Sequence, residues 1–63
     1  MPLIEIHMLE GRTDAQKKAL LASVTAAVQE SIGAPIESIR VWIQEFSHPE
    51  YMAAGVWYGD KKK

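Results

Sequence analysis

Three residues of this chain are suited by type to do chemistry together: Pro2, Arg12 and Arg40. Pro2 directly follows Met1, so removal of the methionine turns it into a chain-terminal secondary amine, a base that no side chain supplies. Such an amine ordinarily titrates at about 7.7–8.0. An apolar pocket and nearby positive charge both disfavour its ammonium form, which poises it for proton transfer near neutral pH. Arg12 and Arg40 are the only arginines, every other fixed cation being lysine. The planar guanidinium fork suits two-point recognition of a carboxylate or enolate in a way an ammonium does not. Each residue also has a plainer role: a proline can simply open a strand, and an arginine can make a surface salt bridge.

The elements that would position these residues follow from the pattern of the chain. Leu3 to Leu9 alternates, with Ile4, Ile6 and Met8 on one face and Leu3, Glu5, His7 and Leu9 on the other, which predicts a strand. Gly11 supplies a turn. Thr13 and Gln16 have the spacing of a capping box, and Asp14 adds a favourable charge in the first turn. Leu21, Val24, Val28 and Ile32 then recur at helical intervals, flanked by Leu20 and Ala27, with Lys17, Lys18, Ser23, Gln29 and Glu30 on the wetter side. Gly33 and Pro35 end the helix.

Ser38 to Phe46 reads as a second strand, with Ile39, Val41 and Ile43 on one face and Arg40, Trp42, Gln44 and Phe46 on the other. The fold class is α/β: a βαβ unit of two parallel strands and one long crossover helix. Ser47 to Glu50 is a turn, and Tyr51 to Gly59 a short hairpin or arm.

Sixty-three residues form a single domain, 1–63. A core this small rarely contributes more than about 3–5 kcal/mol without a staple. Cysteine is absent, and His7 and His48 lack the spaced partners of a zinc site, so oligomerisation is the staple that remains. The 48% hydrophobic content offers apolar surface for it. A net charge of −1 argues against nucleic acid as partner. Lys61 to Lys63 reads as a solvated end. No apolar run approaches the ~20 residues of a membrane span and no signal peptide is visible, which fits the cytoplasm.

Taken together, Pro2-x-Ile4-x-Ile6-His7, Glu10-Gly11-Arg12-Thr13-Asp14-x-Gln16-Lys17 and Ile39-Arg40-Val41 with Glu45 resemble the 4-oxalocrotonate tautomerase family over residues 2 to about 46. The resemblance implies a hexamer, a trimer of dimers, with sites at subunit boundaries and no cofactor. It implies Pro2 as catalytic base, Arg12 and Arg40 as ligands of an oxo-acid substrate, and Tyr51, possibly joined by Trp42, as an aromatic wall. Glycine-rich sequence typically follows the aromatic residue in that family, whereas this chain has Met52-Ala53-Ala54-Gly55.

Two other functions are open to the sequence. Hydration or dehalogenation of a haloacrylate needs a carboxylate to activate water. The position where such relatives place one is Ala53, leaving Glu50 as the nearby substitute. A non-catalytic oligomeric binding module would result if Met1 stays in place, because the Pro2 nitrogen is then an amide.

Overall fold

The computed structural model describes residues 1–59; the lysines at 61–63 lie outside the described residues. Strand β1 (Leu3–Leu9) runs parallel to β2 (Arg40–Phe46), and helix α1 (Asp14–Ile32) connects them. The pairing is in register from Leu3 opposite Arg40 to Leu9 opposite Phe46. Ladder-type bonds continue past both ends: Arg40 N–H donates to the Pro2 carbonyl at 3.1 Å, and Glu10 N–H to the Phe46 carbonyl at 3.0 Å.

The helix begins where its capping sequence places it. Gln16 N–H donates to Thr13 Oγ1 at 3.1 Å, and Thr13 N–H donates to Gln16 Oε1 at 3.0 Å, so two otherwise orphaned donors are satisfied reciprocally. At the other end Gly33 adopts φ 71° and its N–H donates to the Gln29 carbonyl.

Two expectations shift. The second strand starts at Arg40 because Ile36–Ser38 closes a 3₁₀ turn, with Ser38 N–H bonded to the Pro35 carbonyl. The more protected stripe of α1 runs through Lys17, Leu20, Leu21, Val24, Thr25 and Val28, while Ile32 is 66% exposed. Lys17 therefore leaves the wetter side. Its ammonium reaches the Glu45 carboxylate, 3.4 Å from Oε2 and 3.5 Å from Oε1, joining the first turns of the helix to the end of β2.

After β2, a 3₁₀ turn at His48–Glu50 leads into a hairpin of β3 (Met52–Ala53) and β4 (Val56–Trp57). Ala53 pairs with Val56, so the loop is the two residues Ala54 and Gly55, with φ 53° and 77°. Positive φ at both positions is the mark of a type I′ turn, whose twist matches that of the strands it joins. The hairpin thus forms without a glycine at position 54, at a cost of about 1–2 kcal/mol for holding an L-residue there. Trp57 Nε1–H donates to the Pro49 carbonyl at 2.9 Å and folds the hairpin back onto the preceding turn. The indole occupies the space that a side chain at Gly59 would need.

One helix over one two-stranded sheet encloses little. Among the described residues only Ile39 is buried, whereas Leu3, Met52, Ile36, Val56 and Trp57 are about half exposed or more. The radius of gyration is 14.7 Å, against about 11 Å for a compact chain of this length.

Ala54→Gly removes the backbone cost but adds freedom to the unfolded chain. The net expectation is a stabilisation of about 0.5–1 kcal/mol, read as a higher urea midpoint with an unchanged slope.

Candidate active site

The parallel register sorts the candidate residues into two groups at opposite ends of the sheet. Pro2 and Arg40 stand at its head, joined by the backbone bond described above. Arg12 follows the far end of β1, and Tyr51 the far end of β2. Six residue steps along β2 separate Arg40 from Phe46, about 20 Å at strand rise. That exceeds the reach of a small oxo acid, so one chain does not gather all of these residues around one ligand.

At the head of the sheet, side-chain alternation places Arg40 with Leu3, Trp42, Glu5 and His7 on the face away from the helix. Pro2 is one residue out of phase with that set. The Arg40 guanidinium is exposed, and Nη1 donates to the Glu37 carbonyl at 2.7 Å. The 3₁₀ turn thus provides the partner that the strand lacks and leaves the guanidinium's other donors for an anion. Trp42, opposite Glu5 in the register, is 41% exposed. Beside it His7 Nε2 lies 3.7 Å from Glu5 Oε1. Met1 precedes Pro2 in the sequence, and the Pro2 nitrogen is an amide for as long as it is attached.

At the far end, Arg12 is exposed and lines two adjoining concavities. One, of about 240 Å³, is shared with Met8, Gln16, Lys17 and Leu20. The other, of about 360 Å³, is shared with Met8, Leu9, Glu10, Gly11 and His48. Gly11 has φ 126°, a conformation L-residues rarely adopt, and it sets the path of the chain into Arg12 and the helix cap. The Tyr51 ring stacks on Phe46 at 5.1 Å and meets the edge of Tyr58 at 4.8 Å. Tyr58 N–H donates to the Tyr51 carbonyl at 3.0 Å, so the aromatic wall is fixed by backbone and rings alike.

Sequence patterns gave no sign of two pairs at this end. Lys17 and Glu45 are one. The other is His48 and Glu10, with Nδ1 3.5 Å from Oε2. Both join residues remote in sequence through the parallel register. Among the described residues, no three His, Asp or Glu side chains cluster to hold a metal ion, and no helix is long and apolar enough to cross a membrane.

Residues 2–61 match the family model described as tautomerase enzyme. The chain belongs to the tautomerase family. Its members are isomerases, and the βαβ architecture here is theirs. It is 50% identical over 56 residues to a 2-hydroxymuconate tautomerase of Pseudomonas putida, covering 89% of each chain. A solved structure, YwhB, described as a homologue of 4-oxalocrotonate tautomerase, superposes with a TM-score of 0.88 at 44% identity, covering 97% of this chain and all of that one. A heterohexameric 4-oxalocrotonate tautomerase from Chloroflexus aurantiacus superposes with a TM-score of 0.89 at 31% identity, over 98% of this chain and all of its own.

Replacing Glu45 by alanine removes the nearer counter-charge of the partly buried Lys17 ammonium and leaves it only the exposed Asp14, 3.9 Å away. With side chains 28% and 29% exposed, the expected loss is about 1–2 kcal/mol in denaturant unfolding. Lys17→Met with Glu45→Leu recovers part of it.

Proposed function

We propose that this tautomerase interconverts the enol and 2-oxo forms of a small unsaturated acid or diacid without a cofactor. Pro2, exposed by removal of Met1, is its base. The observation that carries this reading is that the family match begins at Pro2 itself, a residue the sheet fixes through the bond from Arg40. The neutral amine takes the enol hydroxyl proton as the oxygen closes to the carbonyl. The resulting ammonium returns a proton to carbon, so the substrate is isomerised with no net proton exchanged.

Arg40 binds the carboxylate and the 2-oxygen, where negative charge develops. A preformed donor at such a position is commonly worth about 10²–10³ in rate. Arg12 holds the distal end and draws electron density along the conjugated chain. Tyr51, with Trp42, supplies the apolar wall that keeps the amine neutral.

The site is shared between subunits, because Arg40 and Arg12 stand at opposite ends of one sheet. The assembly is a homo-oligomer, a hexamer by analogy with its relatives. The apolar groove between α1 and the sheet, lined by Leu21, Thr25, Ile36, Ile39 and Val41, offers surface for packing it together.

Intact-mass measurement of protein made in cells is expected to show the chain without Met1. A form that retains it is expected to show no enol-to-keto conversion. Arg40→Ala is expected to lower kcat/KM for a 2-hydroxydienoate by about 10²–10³, and unchanged conversion would remove Arg40 from the mechanism.

A further inference from the structure

The hairpin that follows Tyr51 is too short to hold itself. Strands β3 and β4 have two residues each, and an isolated two-stranded hairpin is marginal at best in water. Ala54 at φ 53° adds a backbone cost that a glycine would avoid. Yet the aromatic wall is completed from this element: Tyr58 N–H donates to the Tyr51 carbonyl at 3.0 Å, and the two rings meet edge to face at 4.8 Å. A hairpin this short needs an anchor outside its own ladder.

Trp57 has the geometry of that anchor. Its indole N–H reaches back eight residues to the Pro49 carbonyl, at 2.9 Å. Pro49 presents this carbonyl from the 3₁₀ turn directly before Tyr51, which is closed by bonds from Glu50 N–H to the Ser47 carbonyl and from Tyr51 N–H to the His48 carbonyl. The benzene ring of the indole lies over Gly59, where a Cβ would meet Cζ2, Cη2 and Cε2. Trp57 pairs with Met52 across the hairpin, so the neighbouring Tyr51 and Tyr58 fall on the opposite side of it. The indole therefore stands behind the aromatic wall and is not part of it.

We infer that Trp57 is a positioning residue: by tying the hairpin to the Pro49 carbonyl, it holds the Tyr51 ring in the orientation in which that ring walls the site. This rests on the assignment of Tyr51 to the apolar wall and deepens it. Trp57 is half exposed and on the other side of the hairpin, so it acts on the reaction only through Tyr51. Without the indole bond the hairpin parts from the turn. The Tyr51 ring keeps its stacking on Phe46 but loses Tyr58 from its edge, and water reaches the amine that the wall keeps neutral. Substrate anions are held by the arginines, which lie outside the hairpin. The loss therefore falls on turnover and spares binding.

The test is steady-state enol-to-keto conversion of a 2-hydroxydienoate by the assembled, methionine-free protein and by its Trp57→Phe variant, which keeps an aromatic ring but has no N–H to donate. The variant's kcat is expected to fall about tenfold, the scale of one orienting hydrogen bond, with KM within about twofold of the parent's. In a Tyr51→Leu background the same substitution is expected to have no further effect, because residues that act through one another are not additive. An unchanged kcat, a loss confined to KM, or the full loss in the Tyr51→Leu background overturns the inference and leaves Trp57 a structural contact. If Trp57→Phe does not assemble, Gly59→Ala takes its place: the added methyl displaces the indole without altering residue 57, and the same outcomes are read. Hydrogen exchange separates the levels. The Tyr58 amide, bonded to the Tyr51 carbonyl, is expected to exchange faster in the variant than in the parent, and unchanged exchange overturns the inference whatever the activity. If exchange is faster but the parent converts no substrate, the hold of Trp57 on Tyr51 stands and the proposed function falls.

Discussion

The parallel pairing of β1 with β2 is the interaction on which everything else here depends. It brings the chain's beginning against Arg40 and carries the helix from one strand to the other. It also delivers Glu10 to His48 and Lys17 to Glu45 at the far end. Yet two strands and one helix leave a sheet face and both edges unpaired, and only Ile39 buried among the described residues. The free energy available from burial grows with the apolar area removed from water. A chain that removes so little by itself must remove more against its neighbours.

Much of this was legible in the sequence because it is local. Strand β1 shows alternation from Ile4 to Met8, and the helix carries its start and stop in Thr13, Gln16 and Gly33. The start of β2 was less legible: Ser38 and Ile39 continue the alternation, and only the bonds back to Pro35 and Ile36 show that the backbone is still turning. Lys17 has a residue type that suits water and a helical position that faces the sheet. Position prevails because Glu45 is there to meet it.

The candidate site was legible by residue type and obscure in geometry. Pro2, Arg12 and Arg40 stand out as a terminal proline and the chain's only arginines, but types say nothing about which end of a sheet each occupies. His48 was invisible for the same reason. Its neighbours in sequence suggest a turn, and its partner Glu10 comes from the other strand's end across the register. The hairpin is a different case. A sequence lacking the usual glycine looks unfit for the tight turn, whereas the folded chain accepts Ala54 at φ 53° with Gly55 beside it.

The distance between the two ends of the sheet has a consequence for how such a chain diverges. With the length of the sheet, about 20 Å, lying between Pro2 and the turn that carries Arg12, a change at one of them and a change at the other do not fall in the same pocket of the same subunit. Under the proposed sharing of the site between subunits, a duplicated gene would make the two ends separately dispensable. One copy could lose Pro2 and the other Arg12, and a mixed assembly would still hold pockets with both. Inheritance of the two ends is thereby uncoupled, although they are encoded within one short polypeptide.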